Sequence, residues 1–234
     1  MADIVIVDTL SQALYFEQKL GVPSFKIQVV YVGCDDNLFK PMKVSSPERP
    51  VILFYGTFLP LHGVDVIIRA ANLMRDEPVL FRIIGQGQEY DRVYALAKYL
   101  NITNVEFIPW VPMQELPLII NQATICLGGP FGGSEKARRV ITSKTFQCMA
   151  AGKPTIVGDT PANRELFTHG ENVWMCPVND PVALATAIRT LLNAPLLRAK
   201  LGAEGRKIIQ QTSGNLMIAQ SIRRVVEMAA QRRT

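Results

Sequence analysis

The stretch VILFYGTFLPLHGVDVIIRAANLM, residues 51–74, sets the reading of the fold. VILFYG is a continuous β-branched and aromatic run, the pattern of a strand covered on both faces. GTFLPLHG is bracketed by glycines and holds a proline, so the chain turns there. VDVIIRAANLM then spaces its apolar residues three or four apart, the helical period. This strand–turn–helix unit recurs. IVIV (4–7), IQVVY (27–31), VLFRIIG (79–85), VEFIP (105–109), TICLGG (124–129), TIV (155–157) and NVWMC (172–176) are further strand candidates. Helical spacing fills QEYDRVYALAKYL, MQELPLIINQA and a long stretch from 134 to 150. The series predicts an α/β fold: a Rossmann-like, doubly wound parallel sheet with helices on both faces, plus C-terminal helices. Ligands of such sheets bind beyond the carboxyl ends of the strands, so function is sought in the loops that follow them.

The chain has 234 residues, 48% hydrophobic and 19% charged, which suits one large globular domain or one domain plus a remnant. The first ten residues carry Asp3 and Asp8 and no basic leader, and no run of apolar residues is long enough to span a bilayer. A cytoplasmic protein is the expectation. Cys34, Cys126, Cys148 and Cys176 form no CxxC pair, and His62 and His169 have no acidic or thiol partner at ligand spacing. Buried thiols and no metal site follow. The net charge of +5 is modest and predicts no nucleic-acid partner. Part of it lies in Arg223, Arg224, Arg232 and Arg233, either a solvated helix face or a surface for anionic lipid at the membrane periphery or a partner domain.

Residues 32–50 have neither period and are rich in proline, serine and charge, which marks a connector. Residues 1–45 are therefore set apart from a main body at 46–234. Asp180 followed by Pro181 starts a helix lined by Leu184, Ile188 and Leu191. Ser213 is expected to cap a last helix whose packed face is Leu216, Ala219, Ile222, Val226 and Ala229.

Three loops are candidates for chemistry. GTFLPLHG and GQGQEY (85–90) each follow a strand and open a helix, where backbone N–H groups and the dipole favour a phosphate; tight turning or helix capping is the alternative. The third, FGGSEKARRVITSKTFQCMAAGKP, leads from the TICLGG strand into a helix on which Lys136, Arg139, Lys144 and Gln147 share a face. That basic row is either a solvated face or an anion site at the strand ends. Ile141, Phe146 and Met149 lie opposite, and Gly152 with Pro154 ends the helix.

The order G-x-x-x-P-x-x-G, IIGQGQEY, VP-x-x-ELP, KTFQCMAAGKPTIVGDTPANRELFTHGEN and V-x-DPVALATAI resembles the C-terminal, donor-binding half of retaining glycosyltransferases of the GT-B type, family 4 or group 1. The resemblance covers about residues 51–212, and residues 1–45 resemble the last strand, helix and linker of the acceptor domain. It implies metal-independent transfer from a nucleotide-sugar, with no cofactor besides that donor. The diphosphate would lie against Gly56, Thr57 and His62 and the helix after TICLGG, with Lys144 on it. The base would meet the loops at Gly85, Gly87 and Val111. Two family glutamates that contact sugar and ribose hydroxyls fall on Arg139 and Gln147. Glutamine can still accept from a ribose hydroxyl, whereas arginine cannot imitate glutamate. The arginine and lysine usual in the first loop correspond to Thr57 and His62. Lys136 and Arg139 are then the expected diphosphate contacts and leaving-group stabilisers, with His62 a further hydrogen-bond donor or a surface residue. Glu165 reads as a helix-start residue first and a sugar contact second.

Other classes fit less well. A nicotinamide oxidoreductase would need a glycine where Tyr90 stands and an acid in IPWV, and GKPTIVGDTPANREL separates the chain from sugar-nucleotide epimerases. The rival is a binding-only module or one half of a split transferase, inactive alone, which needs a separate N-terminal half or self-association through the IVIV strand.

Overall fold

Two strands near the N-terminus, β1 (Val5–Val7) and β2 (Ile27–Val29), pair in parallel with α1 (Leu10–Leu20) between them, in a computed structural model that describes residues 2–45 and 47–231. Thr9 Oγ1 accepts the Gln12 N–H at 3.0 Å to start α1, and Gly21, at φ 67°, ends it in the left-handed region. The uninterrupted apolar runs form a separate six-stranded sheet: β3 (Val51–Tyr55), β4 (Leu80–Ile84), β5 (Val105–Ile108), β6 (Ile125–Leu127), β7 (Thr155–Gly158) and β8 (Trp174–Cys176). Its order is β5-β4-β3-β6-β7-β8, all parallel. Counted within the sheet this is 3-2-1-4-5-6, so winding reverses between β3 and β6 and a crevice opens beyond their carboxyl ends.

The pleat divides the core. Ile52 and Phe54 of β3 face a cluster with α2 (Val64–Leu73), α3 (Tyr90–Tyr99) and α7 (Pro181–Leu192). Leu53 and Tyr55 face another with α4 (Leu116–Gln122), α5 (Ser143–Ala150), α6 (Pro161–Leu166) and α8 (Pro195–Thr212). Phe54, Phe81 and Phe146 are fully buried, and truncating such a ring to alanine costs about 3–5 kcal/mol. Asp180 caps α7 as its sequence predicts, accepting the Val182 and Ala183 N–H groups at 2.9 Å.

Three expectations need correction. Residues 134–150 are not one helix: a 3-10 turn (Ala137–Arg139) is followed by extended Val140 (φ −124°, ψ 144°), and α5 starts only at Ser143. Val140, Ile141 and Thr142 are β-branched in succession, and Thr142 Oγ1 donates to the Gly128 carbonyl at 2.5 Å, pinning the chain to the end of β6. Ser213 does not cap the last helix, α9 (Asn215–Gln231); it closes α8, and its carbonyl accepts the Cys34 N–H at 3.2 Å. Asp36 instead accepts the Asn215 N–H at 2.9 Å. This docking turns α9 so that Val225 is buried, while Leu216, Ile222 and Val226 face outward, 41% to 69% exposed. The 32–50 stretch is more than a connector, since Phe39 is 2% exposed within the second cluster. Arg223 pairs with Glu227 on the exposed side of α9 at 2.8 Å; Arg232 and Arg233 lie outside the described residues. Among the described residues no helix is long and apolar enough to cross a membrane.

Candidate functional site

The loops after β3 and β6 meet at the switch point. Phe131 N–H donates to the His62 carbonyl at 3.3 Å and Gly132 N–H to the Leu61 carbonyl at 3.1 Å. Gly63, at φ 62°, has no room for a side chain: a Cβ would lie 2.5 Å from Gly132 N. Beside this junction the glycines expected to hold phosphate are used by the protein. Gly56 N–H donates to the Ile84 carbonyl and Gly85 N–H to the Ile108 carbonyl, each at 2.9 Å, which continues the sheet ladder past the strand ends. Gly87 packs so closely on the β3 loop that a Cβ would come 2.8 Å from Phe58 N. Val111 is half-buried after β5, and the Thr57 side chain is exposed. These residues shape the crevice, but Gly56 and Gly85 direct their N–H groups into the sheet.

Lys144, in the first turn of α5, has the strongest electrostatic character in the crevice. It is 5% exposed, its Nζ lies 5.1 Å from the centre of the Phe54 ring, and no carboxylate pairs with it among the described residues. The absent side chain of Gly56 makes the room, since a Cβ there would stand 3.1 Å from Lys144 Cε. Burial pulls its ammonium down to about 7. No side chain caps α5, because the Thr142 hydroxyl is turned to Gly128. A buried, unpaired ammonium and an uncapped helix N-terminus thus coincide at the carboxyl end of β6.

One turn further along α5, Gln147 is half-buried and its Oε1 accepts the Tyr55 hydroxyl at 2.7 Å. Tyr55 ends β3, next to Gly56, and its own oxygen receives the Cys148 thiol at 3.7 Å. Desolvation holds the Tyr55 phenol well above its ordinary value, so it stays protonated. Sequence reasoning passed over Tyr55; the available signal was a polar-tipped aromatic as the last residue of a central strand.

Arg139 and Lys136 do not join Lys144 on one face, because the backbone between them is not helical. The Arg139 guanidinium lies 3.5 Å from the centre of the Tyr15 ring of α1, and its carbonyl accepts the Thr9 hydroxyl at 2.5 Å. Lys136 is exposed. Glu165 is neither a helix start nor turned to the crevice. It lies near the end of α6, and its carboxylate accepts the Leu10 and Ser11 N–H groups at 2.7 Å and the Ser11 hydroxyl at 2.6 Å. It caps α1 from the main body. Tyr31 adds a 3.5 Å bond to the same carboxylate, and its phenol is pushed to about 12 by burial and by Glu165.

His62 is also revised. Its Nδ1 faces the Thr57 carbonyl, which can only accept, so Nδ1 carries the proton and neutral Nε2 is an acceptor. Burial, then the nearby Lys144, lowers its imidazolium to about 4. Nε2 is thus an acceptor in the neutral ring and a donor only in the imidazolium. A groove of about 950 Å³ lies at the opposite end of the sheet, lined by Pro50, Thr124 and Pro154 at the starts of strands. Its Lys153 and Arg198 are occupied with backbone carbonyls at 3.1 Å and at 2.5 and 2.6 Å, a structural use.

This architecture has known counterparts. Residues 36–208 match the family model of glycosyl transferases group 1. The chain belongs to that family. It is 28% identical over 172 residues to the putative colanic acid biosynthesis glycosyltransferase WcaL of Escherichia coli K12, covering 72% of this chain and 42% of that protein. To the probable glycosyltransferase WbjE of Pseudomonas aeruginosa it is 25% identical over 224 residues, 90% of this chain and 54% of the other. The chain thus spans about half the length of the curated relatives it matches. Among solved structures, sucrose-phosphate synthase from Thermosynechococcus elongatus superposes with a TM-score of 0.85 at 20% identity, over 97% of this chain and 58% of that one. Anabaena Alr3699/HepE in complex with UDP gives 0.84 at 19% identity, over 97% and 64%. The group 1 glycosyltransferase has the parallel Rossmann-like sheet expected of it, and corresponds to the C-terminal half of a GT-B fold.

Proposed function

We propose that this group 1 glycosyltransferase chain binds the nucleotide-sugar donor in the crevice between the β3 and β6 loops. There it serves a retaining, metal-independent transfer to an acceptor. The observation that carries the reading is Lys144: a buried ammonium with no carboxylate partner among the described residues, at an uncapped helix N-terminus beside Gly56. A buried cation without a counter-charge is costly unless its partner arrives as ligand. The chemistry it suits is departure of a nucleoside diphosphate. The bond from the sugar's anomeric carbon to the phosphate oxygen breaks with its electron pair going to that oxygen. A bond to the acceptor oxygen forms, and the acceptor hydroxyl's proton passes to the departing diphosphate. Lys144 and the α5 dipole would stabilise the charge that develops on the diphosphate. Gln147 would meet the ribose, and the backbone near Gly87 and Val111 the base. Since Alr3699/HepE of Anabaena is described in complex with UDP and with UDP-glucose, uridine nucleotides head the test panel.

Calorimetric titration with nucleoside diphosphates and their sugar conjugates tests this reading. Saturable binding of one nucleotide, at least about tenfold weaker in Lys144→Met, is expected; no binding by any would overturn it.

A second reading, a donor-binding unit that turns over only with further chain, is favoured by the exposed apolar residues Ile6, Leu10 and Leu14 around β1 and α1 and by the outward stripe of α9. It predicts nucleotide binding without transfer by this chain alone.

A further inference from the structure

The hydrogen bonds around Gln147 decide which end of its amide a ligand meets. The Cys148 thiol donates to the Tyr55 oxygen at 3.7 Å, and the Tyr55 hydroxyl donates to Gln147 Oε1 at 2.7 Å. A phenol has one proton, and with the thiol's proton pointing at its oxygen that proton goes to Oε1. Tyr55 is 8% exposed and Cys148 1%, so solvent has little access with which to reverse the relay. The amide oxygen is therefore engaged by Tyr55, and the polar atom left to meet a ligand is Nε2, which can only donate. A glutamate in the same place would give one oxygen to Tyr55 and keep the other as an acceptor.

We propose that Tyr55 is a specificity-determining positioning residue. By pinning Gln147 Oε1 it makes the site donate N–H bonds to the ribose oxygens, the reverse of a carboxylate, so that ribose positions unable to donate are tolerated. The inference rests on the reading of the crevice as a nucleotide-sugar site. It assigns the pair a selectivity of its own: weak demand for ribose hydroxyl protons.

Fluorine-for-hydroxyl exchange tests it, because fluorine accepts weakly and cannot donate. ADP, GDP, CDP and UDP, each with its 2′-fluoro-2′-deoxy and 3′-fluoro-3′-deoxy analogues, are titrated into wild type, Gln147→Glu and Tyr55→Phe, with melting curves recorded alongside. Wild type is expected to lose about threefold in affinity on fluorination, only part of one neutral hydrogen bond because fluorine still accepts weakly. Gln147→Glu should lose about tenfold or more, the loss of a charge-assisted one. Tyr55→Phe frees the amide to turn its oxygen to the ribose, and its fluorine penalty should rise to about fivefold. A wild-type penalty of about tenfold, or the same penalty in Tyr55→Phe as in wild type, overturns the inference and leaves the donor-site reading standing. Absence of binding by every ribonucleotide overturns the donor-site reading and the inference with it.

Discussion

Arg139 and Lys144 belong to adjoining segments of similar sequence character, and the extended backbone between the segments gives them opposite surroundings. The Arg139 segment is turned toward the N-terminal unit, where its guanidinium rests on the Tyr15 ring and its carbonyl takes the Thr9 hydroxyl. Lys144 is turned into the crevice, desolvated, with an aromatic ring for a neighbour and no counter-charge. The Arg139 guanidinium is spent on an aromatic ring of the N-terminal unit, although its buried Nε finds no hydrogen-bond partner; Lys144 has no carboxylate partner among the described residues. What separates the two is the surface to which each is turned, and the count of basic residues on a helix face does not report it.

The largest effect that would break this contrast is at Lys144. Lys144→Met is expected to weaken nucleoside diphosphate binding about tenfold to a hundredfold, the range for hydrogen bonds to charged groups, while raising the melting temperature because a buried charge is removed. Calorimetry and thermal unfolding read the two signs, and a fall in both would mean that the ammonium is already satisfied in the free protein. The pH dependence comes next. Below about 7 folded and unfolded states both hold the Lys144 proton and the full burial cost is present. Between about 7 and 10.5 the unfolded chain holds a proton that the folded one has released, so this group makes stability rise with pH, by on the order of a few kcal/mol across that window. Denaturation midpoints should therefore climb more steeply from pH 7 to 9 in wild type than in Lys144→Met. By the same linkage, diphosphate binding at pH 8 should take up as much as about one proton, seen as a buffer-dependent binding heat.

At the other cation the expected changes are smaller and of a different kind. Glu165→Ala removes the carboxylate that caps α1 beside Thr9 and is expected to cost about 1–2 kcal/mol, with faster amide exchange over residues 10–20 and unchanged nucleotide affinity. Arg139→Met should cost about 0.5–1 kcal/mol through the lost cation–π contact, again without moving affinity; a tenfold affinity loss would return Arg139 to the diphosphate.

The two sheets were legible because the eight strands among the described residues announce themselves as apolar runs, and α7 because Asp180–Pro181 is a local signal. The crevice was legible through topology. Contacts at long range were not. Glu165 looks like a helix residue near the site until α1, 155 positions earlier, is seen to start on it. The tautomer of His62 depends on a carbonyl reached only when the turn closes, and the orientation of Gln147 on a hydroxyl 92 positions away. The break before α5 did have a local sign, three β-branched residues in succession, which the helical period of the flanking residues masked. The phase of α9 had none, because it is set by Gly33 and Asp36 across the fold.

The tether of Asp36 to the start of α9 has a consequence in time. Its span of 179 positions makes one of the longest loops in the fold, and the Glu165 contact with α1 spans nearly as far. Contacts so distant in sequence form late, because the loop entropy must be met before they stabilise anything. The unit of β1, α1 and β2 therefore docks only after α6 and the start of α9 are in place, and until then its leucines are apolar surface that a chaperone would have to cover.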